Sequence, residues 1–184
     1  MNILLIDNGT QLLAELQTLI PGSEVTVTNK ELGDIHVNEF DLVILSGSST
    51  SSVLWNHTEF DEEIKLITTA RVPLVGICFG CEILAHAFGA TLRELNVPHH
   101  GAREICIASE LLSKEKTLKV YEHHRWIIEK LPKEFEILAY SEDGPEAIRH
   151  RILPIYGLQF HPEKCENNTE AREIFLRIVR ELTE

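Results

Sequence analysis

The first 90 residues alternate short apolar runs with segments of helical spacing, and this alternation constrains the fold more than any other feature of the chain. "MNILLID" has the makings of a buried strand. "TQLLAELQTLI" follows, with Leu12, Leu13, Leu16 and Ile20 at helical spacing. Pro21-Gly22 stops that helix. "SEVTVTN" alternates as a strand, and "DLVILSG" is an apolar run ending in glycine. Residues 58–70, "TEFDEEIKLITTA", return to helical spacing with acidic side chains early, where the helix dipole favours them. "VPLVGIC" is a further apolar strand and "EILAHAFGA" a helix. Strands that are apolar at every position are buried on both faces. The expectation is an α/β fold in three layers: a mainly parallel open sheet with helices on both sides.

From about residue 92 the pattern shifts. "AREICIA", "TLKVYEHH", "FEILAYS", "EAIRHR" and "PIYGLQF" are short strands with close turns, expected to form a small antiparallel extension. "TEAREIFLRIVREL" closes the chain as an amphipathic helix with Ile174, Phe175, Ile178 and Val179 on one face. No repeat or linker divides the sequence, so residues 1–184 are expected to form one domain, a length that buries roughly 70 % of the unfolded surface.

Charge and hydropathy exclude several function classes. The net charge of −12, from 17 basic and 29 acidic residues, argues against nucleic-acid binding, which needs a basic footprint. No apolar run reaches the ~18 residues of a membrane span, and "MNILLIDNGT" lacks the basic start of a signal peptide. A cytoplasmic location is the default expectation, and there the four cysteines are thiols.

In open parallel sheets, sites form at the carboxyl ends of strands. Three such ends carry small or reactive residues: Asp7-Asn8-Gly9, Ser46-Gly47-Ser48 and Cys78. In "GICFG", Gly76 and Gly80 flank Cys78 at a strand-to-helix turn, the spacing that lets a nucleophile sit on a strained, exposed elbow. The helix start behind it favours thiolate. A small cysteine packed in a turn fits the same five residues. Cys78-x-x-Cys81 also has redox-pair spacing, and a zinc site would need two further ligands. The pairs His99-His100 and His123-His124 are poor sources of those ligands, because neighbouring strand residues face opposite ways; each is expected to have one buried and one exposed histidine. Cys106 and Cys165 have no reactive partners in sequence and are expected to be structural. Downstream, the strand "PIYGLQF" ends in His161-Pro162-Glu163, where H-x-E spacing lets a carboxylate hold one imidazole tautomer.

"GICFG", "LSG" after a strand, "ILLIDNG" and "PIYGLQFHPE" together resemble class I (triad-type) glutamine amidotransferases almost end to end. "LPKEFEILAYSED" and "EAIRH" are similar to the glutaminase subunits of two-subunit GMP synthases. The resemblance implies a flavodoxin-like sheet and a Cys78 that attacks the side-chain amide of glutamine. It further implies that His161 shuttles the proton and that Glu163 orients His161. Backbone N–H groups of Ser48 and Phe79 would form the oxyanion hole, and Gly47, Glu82, His100 and Gly101 would line the substrate site. No metal or organic cofactor is implied. The ammonia would go to a separate ATP-dependent synthetase subunit, since 184 residues leave no room for such a domain and no glycine-rich phosphate motif is present. At His124 the resemblance suggests a face for that partner, and at Trp126 packing.

Two positions depart from the family. The loop "SGSSTSS" stands where S-G-G-P-G is usual, with Ser48 at the second glycine. A misplaced oxyanion donor costs roughly 2.7–4 kcal/mol of barrier. Glu82 stands where the family has Gln. Three readings apply to it: a cap for free N–H groups in the first helical turn, a changed substrate pocket, or a charge that raises the Cys78 thiol pKa. Besides a glutaminase, a free-standing hydrolase of another γ-glutamyl or small amide, or an impaired binding homologue, fits these departures.

Overall fold

A single nine-stranded sheet in the order β2-β1-β3-β4-β9-β8-β7-β5-β6 organises the computed structural model, which describes residues 1–164 and 169–184. The parallel part comprises β1 (Asn2–Asp7), β2 (Ser23–Thr28), β3 (Leu42–Leu45), β4 (Leu74–Ile77) and β9 (Ile155–Leu158). The antiparallel part is β5 (Thr91–Ile107), β6 (Thr117–Lys130), β7 (Phe135–Tyr140) and β8 (Pro145–His150).

The helices are α1 (Leu13–Leu19), α2 (Val53–Asn56), α3 (Asp61–Thr69), α4 (Phe79–Ala87) and α5 (Thr169–Thr183). Strand alternation sends successive side chains into two separate cores. Ile3, Leu5, Leu42 and Ile44 pack with Leu16 of α1 and with Ile174, Phe175, Ile178 and Val179 of α5. Leu4, Ile6, Val43 and Leu45 pack on the other face with Leu66 and Ile67 of α3 and Ile83 and Leu84 of α4. The expected three layers follow directly.

The placement of "PIYGLQF" corrects the expectation. Its strand β9 pairs in parallel with β4 and antiparallel with β8, so it is the seam between the two halves rather than part of the extension. All four of its residues are buried, as a strand with both faces covered must be. A Cβ on Gly157 would lie 2.6 Å from Cys81 Sγ, so the missing side chain is what lets α4 approach the seam. The extension is also longer than the sequence fragments suggest. "VPHHG" lies within β5, where the register shifts between Glu94 and His99, and Pro98 sits at that irregularity, where a missing N–H costs no ladder bond. Cys106 is exposed on β5, contrary to a structural role, and Cys165 lies outside the described residues. Among the described residues no helix is long and apolar enough to cross a membrane.

Candidate active site

Between the last residue of β4 and the first of α4, Cys78 adopts φ 51° and ψ −111°, and it is the one non-glycine residue with positive φ among the described residues. Such a conformation costs on the order of 1–3 kcal/mol and persists only where the surroundings enforce it. The enforcement is visible. The Cys78 N–H donates to Leu158 O of β9 at 2.7 Å, and its carbonyl accepts the Glu82 N–H at 3.0 Å, opening the helix. A Cβ on Gly80 would collide with the Leu45 carbonyl of β3, and one on Gly76 with the Gly80 carbonyl. Both glycines are therefore needed for the turn to close against the sheet.

The chain leaves β9 through Phe160 and reaches His161, whose N–H donates to the Tyr121 carbonyl of β6 at 2.9 Å. Glu163 Oε1 lies 2.8 Å from His161 Nδ1, and both side chains are buried. A carboxylate accepts, so Nδ1 carries a hydrogen and Nε2 is the nitrogen left on the Cys78 side. That Nε2 is buried and has no hydrogen-bond partner within normal distance. The thiol of Cys78 is its electrostatic neighbour. The Cys78 Sγ–H instead leans on the His123 carbonyl at 3.7 Å, a loose arrangement typical of a site awaiting substrate.

Both Cys78 and His161 are raised, for different reasons. Burial pushes the Cys78 thiol up; His161 and the Phe79 N–H pull it back, while Glu82 adds to the rise. Burial alone would depress His161, yet Glu163 and Cys78 outweigh it and hold the imidazole well above its usual range. Thiolate and imidazolium stabilise each other, as the expected proton shuttle requires.

Glu82 lies 3 % exposed in the first turn of α4. Its Oε1 accepts a 2.9 Å bond from Gln159 Nε2, so it reaches across to β9 and does not cap the helix. Burial is the main cause that pushes it up to about 7, against smaller opposing pulls from Gln159 and His161. Gln159, which holds Glu82, is the residue beside the site that the sequence alone does not single out. It stands two positions before His161, and that spacing is the signal that could have found it.

A cavity of about 410 Å³ opens over Cys78, Phe79, Glu82 and His161, with Ser48 to Ser52, Trp55 and Trp126 on its walls. The volume suits a small metabolite. A hollow of about 450 Å³ between His36, Glu39, Lys65 and Thr69 contains no thiol. Gly47 packs against the site from behind, since a Cβ there would lie 3.1 Å from His161 Cε1 and 3.6 Å from Cys78 Cβ. Ser48 Oγ accepts from the Ser51 N–H at 3.1 Å, so the atypical loop is a serine-stabilised turn.

His100 and Gly101 fall outside the cavity wall; Pro98 of the same strand forms part of it. His100 is exposed, within 3.2 Å of Tyr121 Oη. His124 does not turn outward to a partner face. It is buried against Glu122, while His123 is exposed, the split expected of neighbouring strand residues. Trp126 meets Trp55 edge-on at 5.4 Å across the cavity wall.

Comparison with known proteins agrees with this geometry. The family model for glutamine amidotransferase class-I matches residues 4–180. A glutamine-hydrolyzing GMP synthase subunit of Pyrococcus abyssi is 32 % identical over 190 residues, covering 95 % of each chain. Anthranilate synthase component 2 of Thermococcus kodakarensis is 30 % identical, covering 94 % of this chain and 90 % of its own. The crystal structure of a candidate GMP synthase subunit from Thermoplasma acidophilum superposes with TM-score 0.85 at 26 % identity, covering 98 % of this chain and 92 % of that one. With the elbow cysteine, the sheet order and these matches in agreement, the chain belongs to the class I glutamine amidotransferase family and is an amide hydrolase.

Proposed function

We propose that this protein hydrolyses the side-chain amide of glutamine through Cys78, His161 and Glu163, and that the ammonia serves a separate ATP-dependent synthetase subunit of GMP synthase type in the cytoplasm. The observation that carries the reading is the 2.8 Å Glu163–His161 contact, which leaves Nε2 as the open nitrogen beside a thiol on a strained elbow. The Cys78 thiolate attacks the amide carbon, forming a C–S bond and placing negative charge on the carbonyl oxygen. The Ser48 N–H, which has no protein partner among the described residues, and the Phe79 N–H at the start of α4 are the donors for that oxygen. His161 gives its proton to the departing nitrogen, the C–N bond breaks, and ammonia leaves. Water, deprotonated by His161, then opens the γ-glutamyl thioester to glutamate and the free thiol. No step calls for a metal or an organic cofactor.

Glu82 supports a second reading, a free-standing hydrolase of another amide. A carboxyl group in the cavity wall beside Cys78 attracts a cationic group that a carboxamide would not hold. Ammonia release from glutamine by the purified protein, with Cys78→Ala as control, tests the first reading. Release that disappears in the variant, alone or after adding a synthetase subunit, supports it. No release under either condition, with Cys78 unreactive toward a glutamine-like electrophile, overturns it. Release from other γ-glutamyl amides in the absence of release from glutamine would favour the second.

A further inference from the structure

We propose that Glu122, His124 and Glu146 form a buried site for one divalent transition-metal cation that ties β6 to β8 beneath the cleft. Glu122 and His124 are two residues apart on β6 and so share a face; Glu146 comes from β8. Glu122 is 0 % exposed, His124 5 % and Glu146 1 %. One ligand atom from each lies within 4.8 Å of the others. Glu122 Oε1 and Glu146 Oε2 are buried with no hydrogen-bond partner. Two orphaned carboxylate oxygens in one buried cluster are costly unless a cation meets them.

The imidazole supplies an independent argument. His124 Nδ1 lies 3.0 Å from the Trp126 carbonyl, which can only accept, so Nδ1 bears the hydrogen. The ring's other nitrogen, Nε2, lies 3.2 Å from Glu122 Oε2. A histidine whose second nitrogen donates to a backbone carbonyl is the arrangement metal-binding histidines use. The remaining oxygens are anchored in the same manner: Ser141 Oγ donates to Glu146 Oε1 at 2.7 Å, and Arg103 to Glu122 Oε2 at 3.3 Å.

Arg103 pairs with Glu122 at 3.3 Å and with Asp143 at 2.7 Å, so Glu146 is the carboxyl of the cluster with no ion-pair partner among the described residues. Glu142 also touches Arg103, but its side chain is 87 % exposed and solvated. Two carboxylates and an imidazole suit Zn²⁺ or Mn²⁺. The same stretch of β6 offers the Tyr121 carbonyl to the His161 N–H and the His123 carbonyl to Cys78. A cation below it would therefore stiffen the strand that backs both groups.

The test is Zn²⁺ and, separately, Mn²⁺ titration of chelator-treated full-length protein, followed by calorimetry and melting temperature. The expected result is one ion per chain and a higher melting temperature, with affinity lower by about 100-fold or more in Glu146→Gln and in Glu122→Gln. Melting without metal shows whether each variant is folded. Co²⁺ substitution guards against thiol sites: the expected spectrum lacks a thiolate charge-transfer band and is unchanged in Cys78→Ala. Three outcomes overturn the proposal: no stoichiometric binding of either ion to the wild type, undiminished binding in folded Glu146→Gln, or a thiolate band that Cys78→Ala or Cys81→Ala removes. A Glu146→Gln variant that melts higher than the wild type, with neither responding to metal, identifies a shared proton instead and equally overturns it.

Discussion

Two buried imidazole–carboxylate pairs lie a few residues from one another across β6, and they differ in one detail. In His161–Glu163 the carboxylate takes the Nδ1 hydrogen at 2.8 Å, so Nε2 is left for the Cys78 thiol. In His124–Glu122 a backbone carbonyl takes the Nδ1 hydrogen at 3.0 Å, and Nε2 faces the carboxylate itself at 3.2 Å. The first pair has a base with an acidic neighbour to serve. The second has its Nε2 turned into a buried cluster of two carboxyl groups, the arrangement proposed to hold a cation. Residue types and sequence spacing are the same in both, H-x-E and E-x-H; what Nδ1 meets, a carboxylate or a backbone carbonyl, separates the proposed proton shuttle from the proposed ligand set.

The comparison breaks most sharply at the two histidines. Replacing His161 with Asn should lower glutamine turnover by about 10³-fold, within the span expected for a lost general acid–base. The same change at His124 should cost no more than about tenfold, because that ring lines the cavity without carrying a proton in the proposed reaction. Steady-state rates of both variants check this, and equal losses would erase the distinction.

A smaller effect is expected from behind the site. Gly47→Ala places a methyl 3.1 Å from His161 Cε1, and the ring must give by a few tenths of an ångström. Since a misplacement of about 1 Å costs on the order of 10²-fold, turnover should fall by about tenfold with the melting temperature nearly unchanged. Unaltered turnover would show that the imidazole has slack the packing does not suggest.

The remaining expected effect is on stability rather than rate, at Glu82. Its carboxyl is raised from an ordinary 4.5 to about 7, so the neutral form is the one the fold favours. The contribution is fully present below pH 4.5 and is lost as pH rises through about 7. Glu82→Gln, which is neutral throughout, should gain roughly 3 kcal/mol relative to the wild type between pH 4 and pH 8. Denaturant melts at the two pH values measure it; a gain that does not vary with pH would mean that Glu82 titrates in the fold as it does in the unfolded chain.

Much of the molecule is legible in the sequence, and the reasons are local. β1, β3 and β4 are recognisable because strands covered on both faces must be apolar at every position. The elbow is recognisable because glycines at −2 and +2 of Cys78 leave few alternatives to a tight strand-to-helix turn. The place of β9 is not legible, because four buried residues carry no sign of which neighbour they pair with. Nor is the exposure of Cys106, because one cysteine in an alternating strand has no local mark of its face. Gln159 and Glu146 escape sequence reading because their partners are 77 residues away at Glu82 and across the sheet at Glu122.

The sequence by itself determined the layered sheet, the strained cysteine at a strand end, and the H-P-E segment at another, since each depends on periodicity or steric limits within a few residues. Only the tertiary structure decided that β9 is the seam bringing His161 beside Cys78, that Glu82 bonds to Gln159 rather than capping its helix, and that Glu122, His124 and Glu146 converge. Those outcomes depend on which strands become neighbours and which ring nitrogen meets a backbone carbonyl. Both are properties of chain segments far apart in sequence, joined by packing that no local pattern records.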